Sequence, residues 1–171
     1  FVDIVESGFD LAIRIGELKD SSLKARKLAP INVCLLASKD YLDKQGRPKN
    51  ITDLKQHKLL SYGRGFNSPI KLQDPQGQEH SLQLDSNVCV NNGEFLHQLA
   101  IKGQGILLSP TFISWQAIQS GELEVILTEY SLPHRFMYAV YPQTRFLPKR
   151  IRLFIDFLTD AFGEQPYWDH V

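Results

Sequence analysis

The chain switches repeatedly between strand-length apolar runs and segments with helical spacing, and this alternation most restricts the folds open to it. FDLAIRI (residues 9–15) is a short apolar run bounded by glycines, as expected of a buried strand. The segment between Pro148 and Gly163 instead places Ile151, Ile155 and Leu158 at helical spacing. Alternating strands and helices predict an α/β architecture with mostly parallel strands.

Two apolar segments bracket the middle of the chain and predict a division into two lobes. Ile31–Ser38 and Phe136–Tyr141 are both long enough to cross between lobes, near Ala37 and Ala139. Pro30 is expected to separate the first of them from the preceding strand, Leu23–Ala29. The predicted lobes are about 1–57 plus 142–171 for the first, and about 58–141 for the second.

Charge and cysteine content restrict the function classes. Lysines and arginines number 19, as do aspartates and glutamates, so the net charge is zero and gives no long-range attraction to nucleic-acid phosphates. Cys34 and Cys89 lie within apolar, strand-like runs, which favours two reduced core thiols and a cytoplasmic protein. No apolar stretch approaches the ~18–20 residues of a membrane helix.

No pattern predicts catalysis, a metal or a cofactor. The five histidines form no ligand-pair motif, and Ser61 and Ser109 lack a nucleophile elbow. The segment KGQGIL (residues 102–107) contains a GxG, but it follows a helix and precedes a strand, the reverse of a phosphate-binding loop. It is better interpreted as a helix end and a tight turn.

Polar junctions at predicted strand ends are the candidate binding residues. Ligands of open α/β folds bind beyond the carboxyl ends of strands, and helix starts offer free N–H groups to anions. Ordinary capping explains any single junction about equally well. The candidates are Arg14, Ile15 and Gly16 in the first lobe, and Ser61, Tyr62, Gly63, Arg64, Asn91 and Asn92 in the second.

An ordered set of segments resembles the effector domain of LysR-type transcription regulators. The first is ESGFDLAIRIGELKDSSLKARKLAP (residues 6–30), followed by LLASKDYLDKQGRPKNITDLKQH and NNGEFLHQLAIKGQGILLSPTF. SGELEVIL, YAVYP and RIRLFIDFL complete the series in the same order. Together they extend over nearly the whole chain, which makes the set specific although each member alone is weak.

The resemblance implies a two-lobed fold like that of type 2 periplasmic binding proteins, with mixed sheets. It also implies a small-molecule effector in the cleft, a homodimer or homotetramer, and DNA binding only through a separate N-terminal winged helix-turn-helix domain. That domain, and the first strand, first helix and second strand of the sensing domain, are expected to lie outside this chain. The first lobe is therefore expected to be incomplete.

Two other functions remain open at this level. A solute-binding protein of a transport system has the same fold, and an enzyme on this fold would need catalytic groups that the chain does not show. The sequence upstream would separate the three, through a helix-turn-helix, a signal peptide or further catalytic residues. Arg14 and Arg64 favour an anionic effector.

Overall fold

The computed structural model describes residues 4, 8–16, 23–63, 69–83, 86–132, 135–143 and 147–170. The strands in these residues are β1 (Ala12–Ile15), β2 (Leu23–Ile31), β3 (Val33–Ala37), β4 (Leu59–Tyr62), β5 (Ile70–Gln73), β6 (Glu79–Leu82), β7 (Ser86–Val90), β8 (Ile106–Pro110), β9 (Glu124–Ile126) and β10 (Arg135–Pro142). The α-helices are α1 (Lys39–Gln45), α2 (Gly93–Ile101), α3 (Thr111–Gln119) and α4 (Lys149–Phe162), and Ile51–Gln56 and Tyr167–Asp169 form 3₁₀ helices.

The chain divides into two compact units. The first comprises Phe1–Ile31 and His134–His170, and the second comprises Asn32–Pro133. These bounds differ from those expected from the sequence, because residues 32–57 belong to the second unit and residues 134–141, with Ala139, to the first. There β3 is hydrogen-bonded between β8 and β9, so the chain changes units before β3 and not within it.

The first unit is built on an antiparallel sheet with the order β1-β10-β2. Helix α4 packs on it through Ile151 and Ile155, which are buried at the i, i+4 spacing expected of an amphipathic helix. The Arg26 guanidinium joins the sheet to the helix by a salt bridge with Asp156. The described part of β1 pairs only with β10 and ends the sheet.

Pro30 does not interrupt a strand, contrary to the sequence-based expectation. Strand β2 continues through Pro30, which lies opposite Phe136 of β10, to Ile31. Proline is tolerated there because β2 is the end strand of the described sheet, where a residue without an N–H need not break a ladder on both sides. The break between strands falls instead at Asn32.

The second unit contains a mixed five-stranded sheet with the order β7-β4-β8-β3-β9. Strand β4 is parallel to both β7 and β8, whereas β3 is antiparallel to β8 and β9. The expectation of mostly parallel strands is therefore wrong, since the other described pairs are antiparallel. The strands β5 and β6 form a separate antiparallel hairpin.

Alternating residues of the five-stranded sheet bury both of its faces. Leu35 and Leu59 point into one core and their neighbours Leu36 and Leu60 into the other, as the two-residue period of a strand requires. The first core is closed by α1, the adjoining 3₁₀ helix and the hairpin, and the second by α2 and α3. The carboxyl ends of β4, β7 and β8 consequently emerge together at one edge of a rigid, two-sided layer.

Candidate functional site

Five of the predicted site residues meet at one edge of the second unit. Because β4 and β7 are parallel and Tyr62 lies beside Val90, the residues that follow the two strands are neighbours. The Gly63 N–H donates to the Val90 carbonyl over 2.9 Å, and the Cys89 thiol contacts the Gly63 carbonyl at 3.2 Å. This places Ser61, Tyr62 and Gly63 next to Asn91 and Asn92, and we call these five residues the strand-end group.

The strand-end group is accessible and opens onto a helix start. Tyr62 is 66% exposed, and Asn91 and Asn92 are also exposed. The Asn92 side chain caps α2 by accepting a hydrogen bond from the Phe95 N–H over 3.0 Å. Gly63 has a φ of 113°, a conformation that favours glycine, and no atom lies within 4 Å of the space a Cβ would occupy.

The third parallel strand brings further polar residues to the same edge, which the sequence-based prediction did not include. Strand β8 ends in Ser109 and Pro110, and Thr111 begins α3. The Thr111 N–H donates to the Asn32 carbonyl over 3.0 Å, and the buried Ser114 hydroxyl donates to Ser109 over 2.7 Å. In the sequence, these residues form a serine-proline-threonine junction after an apolar run, which indicates a strand end. Only the pairing of β4 with β8 shows that this strand end lies at the same edge of the sheet.

The remaining predicted residues lie in the first unit or outside the described residues. Arg14 and Ile15 belong to β1, opposite Tyr138 and Met137. Gly16 follows them with a φ of 119°, and its N–H donates to the Phe136 carbonyl over 3.1 Å. These three residues therefore form a second group, at a strand end of the first unit.

Arg64 lies outside the described residues. A cleft joining the first-unit group to the strand-end group remains a prediction.

The pKa shifts of the described residues arise away from the strand-end group. Burial lowers the pKa of His57 and raises that of Tyr41, whose hydroxyl lies 3.2 Å from His57 Nδ1. The Asp74 pKa is lowered by a hydrogen bond with His80 and by N–H groups of its own turn. Neither cluster includes a residue of the strand-end group.

The described part of the chain contains neither a cluster of metal ligands nor a membrane-length apolar helix. No three or more histidine, cysteine or acidic side chains there are grouped as a metal site would require. No helix in it is long and apolar enough to cross a membrane. Cys34 and Cys89 are both half-buried, and neither forms a disulfide.

Comparisons with known proteins agree on one family. Residues 1–163 match the model of the LysR substrate binding domain. An uncharacterized HTH-type transcriptional regulator of Haemophilus influenzae is 36% identical over 150 residues, covering 88% of this chain and 52% of that protein. The HTH-type transcriptional activator AaeR of Escherichia coli is 33% identical over 162 residues, covering 95% of this chain and 52% of that protein.

Solved structures give the same result. The regulatory domain of CrgA, a LysR-type transcriptional regulator from Neisseria meningitidis, superposes with a TM-score of 0.80 at 30% identity, covering 93% of this chain and 78% of that one. The full-length structure of the Vibrio cholerae virulence activator AphB superposes with a TM-score of 0.78 at 27% identity. The match covers 90% of this chain and 52% of that one.

The expected mixed α/β fold of LysR-type regulatory domains is confirmed. The relatives are transcription regulators, not transport proteins or enzymes, and the chain spans about half the length of the curated relatives it matches. The chain therefore belongs to the LysR substrate-binding domain family.

Proposed function

We propose that this chain is the ligand-sensing part of a bacterial transcription regulator and binds a small-molecule effector in a cleft between its two units. One side of the site is the strand-end group together with Arg64. The other is Arg14, Ile15 and Gly16. The observation that carries this proposal is the convergence of three strand ends and a helix start at one accessible edge, in a chain of the LysR substrate-binding family.

The chemistry of these residues favours an anion, such as a carboxylate. Arg14 and Arg64 supply guanidinium groups, which bind carboxylates through paired, charge-assisted hydrogen bonds. The start of α2 adds the positive end of a helix dipole beside Asn91 and Asn92. Asn92 already accepts the Phe95 N–H, so its side-chain amide N–H groups are the part left to donate to a ligand.

Regulation would follow from a difference in affinity between two arrangements of the units. A ligand shifts such an equilibrium only as far as its binding free energies for the two states differ. DNA contact belongs to a separate N-terminal winged helix-turn-helix domain, and the regulator works in the cytoplasm as a homodimer or homotetramer. We expect the 171-residue chain alone to show no operator binding in a mobility-shift assay, because its net charge is zero.

Calorimetric titration of the chain with a panel of small carboxylates tests the binding site. For a carboxylate that binds, we expect Arg14→Ala to weaken binding by ~1.5–3 kcal/mol, the range for a hydrogen bond to a charged group. Asn91→Ala should also weaken it, with little change in melting temperature because that side chain is exposed.

Arg152→Ala is the matched control, since Arg152 is exposed on α4 and far in sequence from either group. Equal affinities for the Arg14 and Arg152 variants would remove Arg14 from the site. An unchanged affinity in the Asn91 variant would remove the strand-end group.

A further inference from the structure

A small cavity in the second unit lies among three lysines. It has a volume of about 160 Å³ and is lined by Lys44, Lys58 and Lys102, with Asp40, Tyr41 and Gly103 among its other walls. These residues come from α1, from the position just before β4 and from the turn between α2 and β8. Clefts for drug-sized ligands measure roughly 300–1,000 Å³, so this basic cavity suits a smaller guest.

The walls of the basic cavity are fixed by contacts that do not involve the lysine ammonium groups. The buried Tyr41 hydroxyl accepts a hydrogen bond from the Lys58 N–H over 3.0 Å. The Lys58 carbonyl in turn accepts the Ile106 N–H over 2.8 Å. Gly105 passes so close that a Cβ there would lie 2.6 Å from the Lys58 carbonyl oxygen. The cavity is thus a preformed feature of the packed unit.

Among the described residues, the lysines around the cavity, Lys44, Lys58 and Lys102, form no salt bridge with an acidic side chain. Asp40 is the one acidic side chain among the lining residues, which leaves an excess of two positive charges. Positive charge is gathered here although the whole chain has none in excess.

The negative ends of two helices offset only part of the positive charge at the cavity. Lys44 lies in the last turn of α1 and Lys102 is the C-cap of α2, where cations offset the negative end of a helix. Each helix end carries roughly half an elementary charge, so two ends cancel about one of the two excess charges. Lys58 lies at neither helix end and supplies the charge that remains.

We propose that the basic cavity binds a small oxyanion with two or more negative charges, of the class of inorganic phosphate or a phosphate monoester. Lys44, Lys58 and Lys102 come from three separate segments and supply charge-assisted donors, and Asp40 limits the affinity by repulsion. The site lies wholly within the second unit. It is independent of the effector cleft, because none of its residues belongs to either predicted group.

The test measures phosphate affinity calorimetrically, with thermal melts in phosphate and in chloride at matched ionic strength. We expect K44Q/K58Q/K102Q to weaken phosphate binding at least tenfold, since about 1.4 kcal/mol corresponds to a factor of ten and each charged hydrogen bond contributes that much or more. Asp40→Asn should strengthen binding. A change in opposite directions for the two variants is a result that general destabilisation does not produce.

The matched control K49Q/K55Q/K71Q removes the same charge from other exposed lysines of the second unit. Equal losses for the two triple variants would show a diffuse charge effect and overturn the proposal. So would undetectable phosphate binding by the unaltered chain. Binding of random-sequence duplex DNA through the same lysines, with no binding of free phosphate, would also overturn it and indicate a nucleic-acid contact surface.

Discussion

The Ser114 hydroxyl donates a hydrogen bond to the Ser109 hydroxyl over 2.7 Å, joining α3 to the end of β8 inside the protein. Both side chains are buried, at 0% and 3% exposure, and Ser109 in turn donates to the Pro110 carbonyl over 3.3 Å. The two hydroxyls form a short directed chain in which Ser109 has two partners and Ser114 has one. Because the hydrogen bonds run in this direction, replacing Ser109 or Ser114 by alanine should change the free energy of unfolding by different amounts.

We expect Ser109→Ala to destabilise the chain more than Ser114→Ala. Removing Ser109 leaves the Ser114 donor buried without a partner, which costs about 1–3 kcal/mol, whereas removing Ser114 leaves Ser109 its bond to Pro110. Urea unfolding of both variants and of the double variant measures the difference. The double variant should lose less free energy of unfolding than the two single losses combined. Additive losses would show that the two hydroxyls are not coupled.

Asn50 is expected to stabilise the 3₁₀ helix Ile51–Gln56 as its N-cap. Its side chain accepts the N–H groups of Thr52 and Asp53, while Asp53 accepts the Asn50 N–H, completing a capping box. Asn50→Ala should lower the free energy of unfolding by about 1 kcal/mol. Thr52→Ala is the matched control, because the exposed Thr52 hydroxyl only donates to Asn50. An equal loss in both variants would argue against the capping role.

His57 predicts a loss of stability in mild acid. Burial lowers its pKa below the ordinary value of 6.5, so the unfolded chain takes up a proton that the folded chain resists. The contribution of neutral His57 to the free energy of unfolding is fully present above pH 6.5. It is lost as the pH falls from there through the folded pKa of His57. Protonation also adds a positive charge to a ring whose Nδ1 lies 3.2 Å from the Tyr41 hydroxyl. In His57→Gln, the fall of melting temperature between pH 7 and pH 5 should be smaller than in the unaltered chain.

Asp74 predicts a separate loss at lower pH. Its pKa is lowered, chiefly by the hydrogen bond with His80 at 2.7 Å, so its contribution is present above the ordinary value of 3.8 and disappears as the pH falls through the folded pKa. Asp74→Asn should melt below the unaltered chain at neutral pH, and the two should converge below pH 3.8. Glu79→Gln, on an exposed salt bridge of the same hairpin, should change the melt much less. A constant difference at every pH would contradict the assignment.

The end strand of the first unit predicts self-association. Ile13 and Ile15 are each 43% exposed and Phe9 is 56% exposed, on or beside a strand whose described residues pair on one side only. Such an edge is a template for pairing with another chain. Light scattering should show association that grows with concentration and is reduced by Ile15→Lys. The control Phe95→Lys, on the second unit, should leave it unchanged.

Local sequence signals located most elements but not their neighbours. The helix start at Asn92 and the turn in KGQGIL follow from residue chemistry within a few positions, and the structure has them. Strand order is different, because the partners of β4 lie 27 or more residues away and nothing in LLSY specifies them. The strand-end group could therefore be predicted as separate junctions, while the place of Ser109 and Thr111 beside it could not.

The same limit explains the error at Pro30. A proline in an apolar run indicates a break unless the strand lies at the end of a sheet, and that position is set by distant residues of β10. The sequence around Pro30 is compatible with a strand break and with an end strand. The pairing of β2 with β10 decides between them.

Strand β4 separates the basic cavity from the strand-end group. Lys58 precedes the strand and Tyr62 ends it, so four residues at about 3.3 Å each put their backbones roughly 13 Å apart. That distance exceeds the Debye length of about 8 Å at physiological ionic strength. Anions at the two ends of β4 would consequently repel each other little, and one molecule could hold both at once.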